Sequence, residues 1–185
     1  MKFNSHGFTI VEMLIVVVIM TVLMSIATMQ FSSWKGRFII DTQTRELLAD
    51  LSDARLGAIQ TKGSRTVILS PTSAMFRSYT TNEPVTLSTG QLYLTKYFKN
   101  PIVTAASPNN ILFGGNIGFN SNGFTNDFDS TFTSNQMIVA QPPGTNVQSI
   151  TAPAPAGTNA AVDCLVISMT KINVGKYNNG SCVFQ

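Results

Sequence analysis

The feature that most constrains this chain is an apolar segment, residues 8–30, close to its N-terminus. The only charged residue within it is Glu12. About 20 consecutive apolar residues are enough to cross a bilayer as a helix, and Lys2 on the preceding flank indicates that this flank lies on the cytoplasmic side. The segment therefore predicts a single transmembrane helix, with the remainder of the chain exported.

The residues before the apolar segment differ from those of an ordinary secretory signal. In such a signal the small-residue cleavage site follows the apolar region, whereas here the small residue Gly7 precedes it. Cleavage after Gly7 would remove the basic N-terminus and leave a hydrophobic helix that starts at Phe8. We interpret residues 1–7 as a leader peptide and residues 8–30 as the transmembrane and assembly half of a longer helix.

Glu12 is the anomaly within this apolar segment. A carboxylate inside a membrane span costs about 2.5–3.5 kcal/mol on insertion scales, so it is rarely left unpaired. Glu12 lies four residues after Phe8, one helical turn away and on the same face as a new amino terminus there. Two interpretations follow. Either the α-amino group of a staggered neighbouring subunit pairs with Glu12, or Glu12 snorkels or is protonated near the membrane edge.

Residues 7–12, with the sequence GFTIVE, are followed by the apolar helix and closely resemble the class III signal of type IV pilins and pseudopilins. The resemblance implies that a prepilin peptidase cuts between Gly7 and Phe8 and methylates the amine of Phe8. It also implies that Glu12 guides subunit docking in the growing filament. Many major pilins carry a proline in the later half of this segment, whereas the first proline here is Pro71.

Helical patterning continues beyond the membrane segment, through residues 31–62. Apolar residues recur there at spacings of three and four, which indicates an amphipathic helix packed on a core. Asp41 is a candidate N-cap and Gly63 a candidate C-terminal stop, and Gly36 is the weakest helical position. The recurring apolar residues are Leu47, Leu48, Leu51, Ala54, Ala58 and Ile59.

After Gly63 the pattern changes to short β-like runs separated by turns, so residues 63–185 are predicted to form a β-rich globular head. We expect an α+β fold of the pilin type, in which one long helix packs on an antiparallel β-sheet. Residues 141–161, rich in Pro, Gly and Ala, are predicted to be a long exposed loop. The predicted strands are residues 65–70, 75–80, 91–98, 111–113, 137–140, 165–170 and 182–184.

A second resemblance concerns the region after the membrane segment. Residues 46–59 and 65–69 are similar to the corresponding part of H-type pseudopilins and related minor pilins, and residues 117–123 and 164–168 resemble later strands of that family. A Gly-Arg pair often follows the last of these strands in the family. Here Met-Thr-Lys, residues 169–171, follows instead.

Cys164 and Cys182 enclose a span of about 17 residues in a chain segment predicted to be exported. Export favours a disulfide, and closing such a loop is expected to stabilise the fold by roughly 3 kcal/mol. The alternative is two separate buried thiols. A turn at residues 178–180, Asn-Asn-Gly, would bring two terminal strands together.

Other candidate sites are weaker. His6 is the only histidine, which excludes a His-based catalytic triad from the mature domain. Asp127 and Asp129 fit a solvated turn better than a Ca²⁺ loop, and we expect no metal and no cofactor. Residues 96–99, Lys-Tyr-Phe-Lys, have the composition of single-strand nucleic-acid contacts, but they also fit an edge strand protected by charge.

The sequence therefore predicts a non-enzymatic minor pilin that initiates or caps a type IV pilus. Alternatives are an H-type minor pseudopilin of type II secretion, a major pilin, a membrane-anchored enzyme, and a DNA-uptake pilin. The last would depend on four lysines in the head. Expected partners are other pilin or pseudopilin subunits, prepilin peptidase, the inner-membrane assembly platform and the inner membrane itself. The subunit is expected in the inner membrane before assembly and in the filament afterwards. The four lysines are Lys96, Lys99, Lys171 and Lys176.

Overall fold

A computed structural model gives the fold, and it describes residues 9–80, 90–107, 110–112, 115–126, 136–142, 160–178 and 181–184. The chain divides into two compact units, Met1–Lys35 and Gly36–Gln185. The first contains the apolar segment and the second contains the head. The predicted Asp127 and Asp129 turn lies outside the described residues.

Helix α1 spans Ile10–Thr61. No proline interrupts it, since the first is Pro71, and the helix continues through Gly36. Lys62, with φ 54°, ends the helix in the left-handed conformation, so the stop precedes the predicted Gly63.

The prediction that Asp41 caps a helix is wrong. Asp41 lies inside the continuous α1, where its carboxylate accepts a hydrogen bond from Arg45 Nε at 3.1 Å. The two residues are four apart, the spacing at which side chains meet on one helical face. Asp41 therefore pairs with Arg45 on the helix surface and does not cap the N–H groups of a helix N-terminus.

Eleven strands are described in the head, and every pairing between them is antiparallel. They form two sheets instead of the single sheet expected, with strand orders β3-β2-β1-β6-β7 and β11-β10-β9-β8-β4-β5. The fold class, α+β with antiparallel pairing, is confirmed. The strands are β1 Arg65–Ser70, β2 Ser73–Ser78, β3 Gln91–Tyr97, β4 Ile102–Ser107, β5 Asn110–Leu112, β6 Gly115–Phe119, β7 Thr125–Asn126, β8 Gln136–Ala140, β9 Cys164–Ile167, β10 Ile172–Asn178 and β11 Ser181–Phe184.

One hydrophobic cluster joins α1 to both sheets. The apolar stripe predicted for the second half of the helix is buried at Leu47, Leu51, Ala54 and Ala58. It packs with residues of the five-stranded sheet and of the six-stranded sheet. The helix therefore organises the head by covering apolar residues of both sheets. The sheet residues are Val67, Leu69, Ala74, Phe76, Ile117 and Phe119 from the first, and Ile102, Ile138, Leu165 and Ile167 from the second.

The loop predicted for residues 141–161 needs correction at both ends. Gln141 is 1% exposed and Ala160 is 3% exposed, so the chain enters and leaves this segment inside the head. Ala160 packs with Ile40 and Ala140 in a small apolar cluster. Residues 143–159 lie outside the described part of the chain.

Candidate functional site: the N-terminal assembly segment

The N-terminal turn of α1 is closed by reciprocal contacts between Thr9 and Glu12. The Thr9 backbone N–H donates to Glu12 Oε2 at 3.4 Å and the Thr9 hydroxyl donates to the same oxygen at 3.5 Å. In return, the Glu12 backbone N–H donates to Thr9 Oγ1 at 3.3 Å. This arrangement is a capping box, in which Thr9 is the N-cap and Glu12 the third helical residue. Both side chains are exposed.

Sequence analysis did not identify Thr9, although the signal was present. A Thr followed three residues later by Glu, immediately before an apolar run, is the capping-box pattern. Gly7 and Phe8, the predicted cleavage and methylation residues, lie outside the described residues. Processing there remains a prediction, and the structure places Glu12 within the first helical turn.

The apolar part of α1 after this turn has the length and composition of a membrane span. Ile10–Ala27 has a mean hydropathy of 2.7, and none of it is buried in the structure. Two hydroxyls inside it donate to the helix backbone, Thr21 to the Val18 carbonyl at 2.8 Å and Ser25 to the Thr21 carbonyl at 2.9 Å. These bonds matter because hydrocarbon offers no partner for a polar group. The segment can therefore be covered by lipid or by other apolar helices.

In the head, Cys164 and Cys182 form a disulfide, with a Cα–Cα distance of 6.0 Å. Cys164 lies on β9 opposite Gly175 of β10, and Cys182 lies on β11 opposite Tyr177 of β10. The disulfide thus connects the two strands that flank β10. A Cβ at Gly175 would lie only 2.9 Å from Cys182 Sγ and would also meet the Val183 backbone. Glycine at position 175 therefore leaves the space in which the disulfide passes across β10.

A buried carboxylate immediately before β9 holds the neighbouring strand β10. Asp163, 0% exposed, accepts the Tyr177 backbone N–H at 2.6 Å and the Lys176 ammonium at 2.7 Å. Lys176 Nζ also donates to the Ala160 carbonyl at 2.8 Å. A buried carboxylate is tolerated only when paired and hydrogen-bonded, and Asp163 has both kinds of partner. Sequence analysis missed it because a single Asp beside a turn-rich segment has no local signature.

Lys96, considered above as a nucleic-acid contact, is held by carboxylates of α1. It lies with Tyr97 on β3, an edge strand of the five-stranded sheet, which confirms the edge-strand interpretation for these two residues. Phe98 and Lys99 follow the strand. Its Nζ is 2.8 Å from Asp50 and 3.5 Å from Glu46. Asp50 first and Glu46 second raise the pKa of Lys96 above its ordinary value of 10.5, with burial opposing them. Lys96 and Lys176 are thus both committed to ion pairs with acidic residues of this chain.

Nothing in the described part of the chain gathers three or more His, Cys, Asp or Glu side chains into a metal-binding group. Comparison with known families adds one positive finding, since the profile of the prokaryotic N-terminal methylation motif matches residues 2–28. Comparison with curated proteins and with solved structures gave no match. The match covers the N-terminal segment alone, and it supports the class III signal of the type IV pilin and pseudopilin kind that the sequence predicts there.

Proposed function

We propose that this chain is a minor pilin, a structural subunit that initiates or caps a type IV pilus after its leader is removed. The observation that carries the proposal is an apolar helix segment that is unburied throughout and begins with an exposed carboxylate. Such a segment needs a partner along its whole length. Lipid covers it before assembly, and the helices of other subunits cover it in the filament.

Docking follows from the chemistry of the first helical turn. Cleavage between Gly7 and Phe8 creates a positive α-amino group, which must be neutralised when it enters apolar surroundings. The Glu12 carboxylate of an adjacent subunit supplies the opposite charge. Its contacts to Thr9, at 3.4 and 3.5 Å, are longer than charge-assisted hydrogen bonds, which are about 2.7–2.9 Å. Exchanging these contacts for a methylated ammonium group therefore favours the docked state.

The minor role is supported by two features of the chain. The helix is continuous from Ile10 to Thr61 without an internal proline, unlike many major pilins. Residues 46–59 and 65–69 resemble H-type pseudopilins and related minor pilins, so an H-type pseudopilin of type II secretion is the nearest alternative. A DNA-uptake role is disfavoured because two of its four candidate lysines are ion-paired within the head.

The proposal is tested by replacing Glu12 with Gln. The variant keeps the size of the side chain but leaves the incoming amine without a counter-charge, which costs roughly 3–5 kcal/mol in buried surroundings. We expect normal cellular abundance and normal leader cleavage, but incorporation into sheared filaments reduced on the order of a hundredfold or more. Immunoblotting of cell and filament fractions measures both quantities.

The matched control is Glu46→Gln, which removes an exposed carboxylate of the head and leaves Asp50 to pair with Lys96. This control should incorporate as the wild type does. Equal incorporation of Glu12→Gln and the wild type would show that Glu12 does not pair with a neighbour's amine. The docking mechanism would then have to be abandoned.

A further inference from the structure

Beyond the apolar span, the N-terminal unit carries an exposed aromatic pair with a cation beside it. Phe31 and Trp34 are 61% and 59% exposed, and their ring centroids lie 6.1 Å apart. Lys35 follows and is also exposed. Spacings of three and four residues place all three side chains on one face of α1. Two large apolar rings and a cation thus share one exposed surface that begins four residues after the apolar span Ile10–Ala27.

This combination has a specific chemical preference. Tryptophan rings concentrate at the boundary between hydrocarbon and headgroups, where the ring is apolar and the indole N–H finds a polar partner. Lysine places its aliphatic stem along apolar surface and its ammonium among phosphates. We propose that Phe31, Trp34 and Lys35 form an anchor that binds the phospholipid headgroup region of the outer leaflet, on the side to which the head is exported. The proposal depends on the membrane insertion that the proposed function requires.

Helix geometry shows what such an anchor accomplishes. Glu12 and Trp34 are separated by 22 helical positions, which at a 1.5 Å rise is about 33 Å. The hydrocarbon core of a bilayer is about 30 Å thick. When Trp34 is held at the boundary between hydrocarbon and headgroups in the outer leaflet, the Thr9–Glu12 capping box lies at the corresponding boundary on the cytoplasmic side. A carboxylate there reaches water and headgroups, and so avoids most of the cost of burial at the bilayer centre.

The anchor therefore sets the depth of the helix in the membrane. It holds the carboxylate used for docking, and the chain just before it, at the cytoplasmic surface until the subunit is extracted. The occupant of this face before assembly is phospholipid, because the face lies on the same helix as an apolar span that ends four residues earlier and is itself unburied. No part of the head is required for this role.

Trp34 is the only tryptophan of the chain, so indole fluorescence reports this one position. The full chain is reconstituted into vesicles of phosphatidylethanolamine and phosphatidylglycerol that also contain lipids brominated at shallow, middle or deep acyl positions. We expect shallow bromines to quench Trp34 most and deep bromines least. Replacing Phe31 with Ser should move Trp34 toward water, with a red-shifted emission and weaker quenching. The control is Leu56→Ser, at a residue of similar exposure in the head, which should change neither the emission wavelength of Trp34 nor its quenching.

The outcomes separate this inference from the proposed function. Flotation with the vesicles and resistance to alkaline extraction test insertion independently of Trp34. An inserted chain in which no bromine quenches Trp34, or in which deep bromines quench it most, would overturn the anchor and leave the docking proposal standing. If Trp34 emission changes with the protein-to-lipid ratio but is not quenched by brominated lipids, the face is covered by a second copy of the chain and the lipid anchor is overturned. Failure to insert would overturn both proposals.

Discussion

Reduction of the Cys164–Cys182 disulfide should loosen the C-terminal strand before the rest of the head. The cross-link spans 18 positions, and closing a loop of that length stabilises by about 3 kcal/mol in the chain-entropy description. Strand β11 is short and mostly exposed, and β10 is its sheet partner. Loss of the cross-link should therefore mainly lower the free energy needed to separate β11 from β10.

The assay is native-state hydrogen exchange by mass spectrometry on the full chain in detergent, with and without a phosphine reductant. An energy of 3 kcal/mol corresponds to an upper limit on the order of a hundredfold loss of protection in β11, while β1 and β2 should stay protected. A Cys164→Ala, Cys182→Ala double variant should show no response to reductant. Equal β11 protection in the oxidised and reduced protein, or an equal loss in β1, would refute this reasoning.

Two further predictions concern charged pairs in the head. Asp163→Ala should destabilise by about 3 kcal/mol or more, because it leaves the Tyr177 N–H and the Lys176 ammonium without their buried acceptor; urea unfolding measures this, and a loss below about 1 kcal/mol would contradict it. The Lys96 pair with Asp50 should support stability below pH 10.5 and lose that contribution as pH rises through the raised pKa of Lys96. Compared with Lys96→Met, the wild type should thus lose stability more steeply above pH 10.5, and parallel unfolding curves would exclude the effect.

The helix and its apolar segment were predictable from sequence because both depend on local pattern. A run without charge apart from Glu12, no proline before Pro71, and apolar residues at spacings of three and four together specify one long helix. The end of that helix was less predictable. Lys62 adopts the left-handed conformation that the sequence would assign to the neighbouring Gly63.

Strand prediction was right for β1 and missed β10, and each outcome has a local reason. Strand β1 was predicted with its bounds, since Val67, Ile68 and Leu69 form a clear apolar run. Strand β10 was missed because it contains Asn and Gly within a polar sequence. Its Gly175 is explained by the close approach of the Val183 backbone and of Cys182 Sγ from the adjacent strand. Strands β4, β6 and β7 were also missed.

The central claim is that the mature chain begins at Phe8 and is a filament subunit. Intact-mass measurement of this chain recovered from sheared filaments tests both parts together. The account predicts residues 8–185, with one methyl group on the Phe8 amine and two hydrogens fewer for the disulfide. Recovery of the full chain from Met1 in assembled filaments would contradict cleavage as the step that permits docking. Absence of the chain from filaments whose other subunits are present would contradict its role as a subunit.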